Sequence, residues 1–221
     1  AARLAAMTMA RYPSYWPETV RGLMTHSAEW TPAMRSAVEA EPGLKKRRAL
    51  LTRLGWGVPD EGQLFGSSGN AVTMVVQDEF VPFTGVDYKM RNFRLHQLPW
   101  PRDALRDLGA AAVELRVTLS YFIEPSAGRR GWRNRYAYAS HGLRFDLRRP
   151  NETTPDFVRR VNEERVTNEE GGSSGSDPKN WTIGPKQRDK GSLQQDIWSG
   201  DGPHLATTGG VLAVQPGGGW W

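Results

Sequence analysis

The sequence predicts an α+β protein in which a helical segment comes first and a β-sandwich or jelly-roll segment follows. In residues 1–65, apolar side chains recur at helical spacing. From about residue 71 onward, short runs alternate between apolar and polar side chains and are separated by Pro and Gly turns. Such runs are typical of sandwiches and jelly rolls. We therefore expect two domains, residues 1–67 and residues 68–221.

The first helix is predicted over residues 1–12, a run rich in the strong helix formers Ala, Leu and Met. No Ser, Thr, Asp or Asn precedes it to act as an N-cap. The run is apolar on most sides, and Arg3 and Arg11 share one narrow edge. Such a helix belongs in the interior of a larger protein. We therefore expect that part of the parent protein precedes this chain.

Three further helices are predicted in the first domain. Pro17 suits the first turn of a helix, and Thr31 followed by Pro32 begins another. A basic helix over residues 44–54 carries leucines on its apolar side, and Gly55 and Gly57 end it.

The second domain is predicted to consist mainly of short strands. Residues 113–121 alternate strictly, which is typical of a half-buried antiparallel strand. The shorter runs with β character are residues 71–76, 93–95, 143–147 and 211–214. Residues 154–165 predict a charged helix, and we expect residues 169–177, rich in Gly, Ser and Glu, to form a mobile loop.

The bulk composition excludes some classes of protein. The 221 residues are 38% hydrophobic and 24% charged, which is typical of a folded soluble protein. No apolar run reaches the roughly 18 residues that a membrane helix needs. The absence of cysteine excludes disulfides and cysteine zinc sites, and leaves the compartment open. The net charge of +5 comes from arginines interleaved with acids, so nucleic-acid binding ranks last among the functions considered.

Three segments of the first domain resemble the subtilisin-like serine proteases, or subtilases. Residues 1–13 resemble the buried helix that follows the Gly-Thr-Ser motif of the nucleophile and ends in a Tyr-Pro turn. Residues 20–28 resemble a helix that ends in small residues. Residues 55–60 resemble the Gly-aromatic-Gly turn, and residues 61–65 would begin the last helix of the catalytic domain. The segments follow one another in the family's order.

The resemblance implies the C-terminal segment of a serine endopeptidase. It places the Asp, His and Ser of the triad before Ala1. The chain alone is therefore expected to be inactive and to support hydrolysis in the parent enzyme. Its partners would be the upstream catalytic part and a protein or peptide substrate, with no membrane partner. The second domain would be an accessory domain. The alternative is a β-sandwich binding module that recognises protein or carbohydrate, with the helical part as a stalk.

One segment of the second domain combines cations and aromatic rings densely. The candidate binding residues there are Arg130, Trp132, Arg133, Arg135 and Tyr136. They could hold an acidic peptide, a sugar face or a nucleic-acid backbone. The simpler interpretation, a solvated basic loop between two strands, is favoured.

The sequence predicts no catalytic, metal or cofactor site within the chain. The four histidines, His26, His96, His141 and His204, show no spacing typical of zinc ligands. We expect His26 to pack or to cap its helix, because the neighbouring Ser27 does not share its helix face. No cofactor is expected.

Overall fold

The computed structural model describes residues 1–41, 44–66, 73–79, 81, 83–84, 89–90, 93–123, 141–169, 180–184, 188–189 and 191–218. The chain forms two compact units, Ala1–Gln77 and Asp78–Trp221. Helices and antiparallel sheets are both present, which confirms the α+β class. The domain boundary expected after residue 67 falls at residues that lie outside the described ones.

The first unit is mainly helical. Its helices are α1 (Ala2–Arg11), α2 (Pro17–His26), α3 (Pro32–Glu39), α4 (Leu44–Leu54) and α5 (Glu61–Gly66). Its two short strands, β1 (Ala28–Glu29) and β2 (Val58–Pro59), pair antiparallel. The first four of these helices were predicted from the residue pattern, and α5 was expected from the resemblance to subtilases. The Thr31 side chain caps α3 by accepting a hydrogen bond of 3.3 Å from the Met34 N–H.

Residues 73–79 form no strand, so the β assignment of residues 73–76 is wrong. A strand needs a partner strand along its edge, whereas this segment is held through the side chain of Gln77. The Gln77 Oε1 accepts hydrogen bonds from the Trp16 N–H at 2.7 Å and from the Thr19 hydroxyl at 2.6 Å. Its amide group also donates to the Ser14 carbonyl at 3.3 Å. One glutamine therefore attaches an extended segment to the start of α2.

The described residues of the second unit form three antiparallel sheets. In chain order its elements are β3 (Phe83–Thr84), β4 (Lys89–Met90), β5 (Arg94–Gln97), α6 (Arg102–Asp107), β6 (Ala112–Ser120), β7 (His141–Leu147), α7 (Thr154–Glu169), β8 (Leu193–Asp201), α8 (Gly202–Thr207) and β9 (Val211–Gly218). The sheets are the pair β3–β4, the triple β5–β9–β7 and the pair β6–β8. The strands predicted near residues 95, 117, 145 and 212 and the helix predicted from residue 154 are confirmed.

The burial of β6 follows the predicted alternation only in part. Val117 is buried, and Ala112 and Glu114 are exposed. The polar residues Arg116, Thr118 and Ser120, expected on the exposed face, are half-buried like Leu115 and Leu119. The strand runs antiparallel to β8, with Leu115 opposite Trp198. The prediction of an antiparallel strand is confirmed.

Two hydrophobic clusters form the core of the second unit. The larger cluster contains side chains of both large sheets and of the short helices α6 and α8, namely Leu105, Val117, Phe145, Leu147, Trp181, Trp198, Leu205 and Ala206. The smaller cluster joins Phe157 and Val161 of α7 to Val211 and Ala213 of β9. Residues 170–177 of the loop predicted to be mobile lie outside the described residues.

Candidate functional site

The inner side of α1 is attached to the last helix of the first unit. Its Thr8 side chain is buried and donates a hydrogen bond of 2.8 Å to the Leu4 carbonyl. Beyond the helix end, the Tyr12 hydroxyl donates to the Phe65 carbonyl at 2.6 Å. Arg3 forms an ion pair with Glu61 at the start of α5.

The outer side of α1 is an apolar surface. Ala2, Ala6, Met9 and Ala10 are all exposed, and Met9 keeps 52% of its surface accessible. Their spacing of four, three and one residues places them along one side of the helix. We call these four residues the outer face of α1. It carries no titratable group, so it can pack against another apolar surface but can perform no chemistry.

The turn between α4 and β2 requires a glycine at one position. Gly57 has a φ of 99°, and a Cβ atom there would lie 2.1 Å from the Glu29 carbonyl oxygen. Only glycine lets β2 approach β1 this closely. The indole rings of Trp30 and Trp56 stack at 6.1 Å between ring centroids, and the Trp30 Nε1–H donates to the Gly55 carbonyl at 2.9 Å. These contacts hold the turn at residues 55–60, which is one of the segments that resemble subtilases.

A buried charge cluster lies in the second unit, at the start of β8. Asp196 is fully buried, and its two carboxylate oxygens accept hydrogen bonds from three backbone N–H groups, those of Ile183, Gly184 and Ile197, at 2.9 to 3.0 Å. Arg188 Nη1 is a fourth donor, at 3.3 Å. Because both oxygens are engaged, Asp196 holds Ile183, Gly184 and Arg188 in place and is unsuited to acid–base catalysis.

The Arg188 guanidinium contacts two aromatic rings that are themselves in contact, with centroids 6.0 Å apart and planes tilted by 60°. Its Cζ atom is 4.3 Å from the ring centroid of Phe145 and 4.7 Å from that of Trp181. Its Nη2 donates to the Phe145 carbonyl at 3.0 Å. Cation–π contacts of this kind strengthen when the cation is shielded from water, and Arg188 is only 3% exposed.

Asp189 is the less well satisfied acid of this cluster. Burial raises the pKa of its carboxyl to about 6, although Arg188 and Arg144 lower it. Its Oδ1 lies 3.4 Å from Arg188 Nε, and neither atom makes a hydrogen bond. Burial also raises the pKa of Asp196, against the hydrogen bonds that lower it.

A second group of charges attaches α7 to β7. Arg160 donates to both carboxylate oxygens of Glu152, at 2.8 and 3.0 Å, and forms an ion pair with Asp146. Burial alone would raise the pKa of Glu152, but the hydrogen bonds from Arg160 and from the Arg149 N–H hold it below its ordinary value. The pairing of Arg160 with Glu152 and Asp146 therefore fixes the position of α7 relative to β7.

The edge of β7 that faces away from β9 is covered by side chains. The carbonyl groups of Leu143, Phe145 and Leu147 alternate along this edge. They accept hydrogen bonds from Gln194 at 2.6 Å, Arg188 at 3.0 Å and Arg160 at 3.3 Å, respectively. Three side chains from outside the sheet therefore occupy acceptors that a neighbouring strand would otherwise use.

The candidate binding residues expected from the sequence, Arg130, Trp132, Arg133, Arg135 and Tyr136, lie outside the described residues. The structure therefore leaves this prediction untested.

The four histidines lie on four different elements. His26 ends α2, His96 is in β5, His141 begins β7 and His204 is in α8. Burial lowers the pKa of His96. The His204 ring lies 5.5 Å from the indole of Trp198, edge to face. Within the described ranges, no group of three His, Asp or Glu residues could hold a metal ion.

Sequence reasoning missed the charge cluster around Arg188. The local signal is the polar run Gln194-Gln195-Asp196 directly before the apolar pair Ile197-Trp198. Polar residues at positions that must be buried indicate partners elsewhere in the fold, but they do not identify them.

None of the helices in the described part of the chain has the length and apolar character needed to cross a bilayer. Comparisons with protein-family models, with curated proteins and with solved structures find no match to this chain.

Proposed function

We propose that residues 1–67 are the helical C-terminal part of a subtilisin-like catalytic domain, and that the chain supports peptide-bond hydrolysis without carrying the triad. The observation behind this proposal is that the segments resembling the family pack together in one unit. α1 contacts both α2 and α5. The short strand after α2 pairs with the strand of the glycine turn. The segments that resemble subtilases therefore contact one another in the folded unit.

The outer face of α1 supports the same proposal. α1 has only 10 residues, and a helix of that length gains most of its stability from packing. Thr8 is its one buried residue among those described, and the outer face is apolar and exposed. In the proposed enzyme, the remainder of the catalytic domain covers this face.

The second unit is proposed to be a β-sandwich accessory domain. Its larger hydrophobic cluster combines Val117 of β6 and Trp198 of β8 with Phe145 and Leu147 of β7. Side chains of two sheets that share one core are the defining feature of a sandwich. In the parent enzyme such a domain would stabilise the catalytic domain or present the peptide substrate.

The test compares the 221-residue chain with a protein extended by the residues that its gene encodes before Ala1. We expect a Gly-Thr-Ser motif directly before Ala1, casein hydrolysis by the extended protein, and fluorophosphonate labelling of that serine. The chain alone should remain unlabelled. Absence of the motif, or labelling of a serine within these 221 residues, would overturn the proposal.

A pair of matched variants tests the role assigned to the outer face. Ala6 in α1 and Ala37 in α3 are both exposed helical alanines. Ala6→Glu should leave the melting temperature of the 221-residue chain almost unchanged but abolish hydrolysis by the extended protein. Ala37→Glu should leave both properties unchanged. Equal activity of the two extended variants would show that the outer face is not covered.

A further inference from the structure

We propose that Arg188, Asp189 and Asp196 form an acid-responsive clasp, in which uptake of a proton by Asp189 strengthens the attachment of the turn at residues 188–189 to β7 and β8. This inference concerns the second unit alone and is independent of the proposed protease function.

The two acids of the clasp differ in their hydrogen bonds: Asp196 is fully hydrogen-bonded, whereas Asp189 is not. Asp196 receives four hydrogen bonds, three of them from backbone N–H groups. Asp189 keeps only 20% of its side chain exposed, and its Oδ1 makes no hydrogen bond. The nearest cationic atom, Arg188 Nε, lies at 3.4 Å and also lacks a hydrogen bond. An ionised Asp189 is therefore largely shielded from water, and the Arg188 ion pair compensates for its lost hydration without a hydrogen bond to Oδ1.

Arg188 itself is committed to other partners. Its Nη1 donates to Asp196, its Nη2 donates to the Phe145 carbonyl, and its Cζ contacts the rings of Phe145 and Trp181. The guanidinium cannot turn toward Asp189 without breaking these contacts. A neutral Asp189 leaves Arg188 paired with Asp196 and removes one buried negative charge.

The charged groups around Asp189 come from three elements. They are Arg188 in the same turn, Asp196 in β8, and Arg144 and Asp146 in β7, the last of which is paired with Arg160 of α7. Lys186 and Lys190 flank Asp189 in the sequence and lie outside the described residues.

The direction of the effect follows from the burial of Asp189. The pKa of its carboxyl is raised from 3.8 to about 6 in the folded chain. Between these two values, the folded state holds more protons than the unfolded state, so stability decreases as the pH rises through this window. The clasp therefore stabilises the folded state most at pH values below this window and least at pH values above it.

The test is urea unfolding of the full chain at pH 5 and pH 7.5, followed by NMR at the indole signal of the buried Trp198. Asp189→Asn is a neutral mimic of the protonated form. We expect its urea midpoint to exceed that of the wild type at pH 7.5, and the difference to shrink at pH 5. Asp103→Asn changes a carboxylate that is 94% exposed and should shift the midpoint little at either pH.

A second measurement keeps the inference testable if the Asp189 variant fails to fold. The side-chain carboxyl carbon of Asp189 is titrated by ¹³C NMR in the wild-type chain. A midpoint near pH 6 is expected. A midpoint near the ordinary aspartate value, or a difference between wild type and Asp189→Asn that does not vary with pH, overturns the proposal.

Discussion

Arg188 and Asp196 form an ion pair in which Nη1 lies 3.3 Å from Oδ2 and both side chains are at most 2% exposed. The two residues are eight positions apart, so the pair attaches Arg188 to β8. Breaking one side of such a pair leaves an uncompensated buried charge, which is far more costly than losing an exposed ion pair.

Asp196→Asn should therefore lower the free energy of unfolding by roughly 3 kcal/mol. The substitution removes the charge that compensates Arg188, and it replaces one acceptor oxygen with a donor next to backbone N–H groups. Urea unfolding at pH 7, read at the Trp198 indole, measures the effect. Asp107→Asn, at an exposed position of α6, is the matched control and should cost under about 0.5 kcal/mol. Similar costs for the two variants would contradict the role of Asp196.

The glycine turn of the first unit allows a comparison of two identical substitutions. Gly55 and Gly57 both have positive φ, but a Cβ at Gly55 would meet open space, whereas one at Gly57 would collide with the Glu29 backbone. Gly55→Ala should cost about 1 kcal/mol from the left-handed backbone alone. Gly57→Ala should cost at least about 3 kcal/mol, because β1 and β2 must separate. Thermal unfolding followed by circular dichroism measures both, and equal costs would show that the close approach is absent.

The half-buried strand β6 predicts unequal costs on its two faces. Val117→Ala should destabilise the second unit by roughly 2 kcal/mol, because a cavity remains in the larger cluster. Glu114→Ala, on the exposed face, should cost under about 1 kcal/mol. Thr118 is a poor control, since its hydroxyl donates to Gln195 Oε1 at 2.6 Å. Urea unfolding at the Trp198 indole distinguishes the two faces, and equal costs would contradict the assignment.

His96 predicts a pH effect opposite to that of Asp189. Burial lowers the pKa of His96, reinforced by Arg94 and opposed by Asp78. The folded state therefore binds fewer protons than the unfolded state just below the ordinary value of 6.5, and stability falls as the pH drops through that range. His96→Gln should flatten this decrease while matching the wild type above pH 7.5. Urea midpoints between pH 5 and 8 measure it, and an unchanged slope would show that His96 does not contribute.

The spacing of apolar residues predicted those helices and strands that bury one face and expose the other. The helices from Pro17 and Pro32 and the strand around Val117 follow from the spacing of apolar residues and from their end signals. The six-residue helices α6 and α8 were missed because each is shorter than two turns and shows no repeated period.

The charge cluster could not be predicted because its partners are distant in the sequence. Gln194, Gln195 and Asp196 are polar residues at buried positions of β8, and their burial is explained only by groups brought near by folding, such as the Leu143 carbonyl. Likewise, the sequence predicts that Arg160 lies on the exposed surface of a charged helix. Only the turn before α7 and the strand β7 supply the acids that make it half-buried.

The side chains that cover the outer edge of β7 bear on how the protein behaves at high concentration. An uncovered strand edge is a template on which another chain can add a strand and begin an ordered aggregate. At β7, the carbonyls of Leu143, Phe145 and Leu147 are already bonded to Gln194, Arg188 and Arg160. An incoming strand must first displace a cation that contacts two aromatic rings and another that is paired with two carboxylates. The same contacts that order the core thus also oppose fibril growth at this edge.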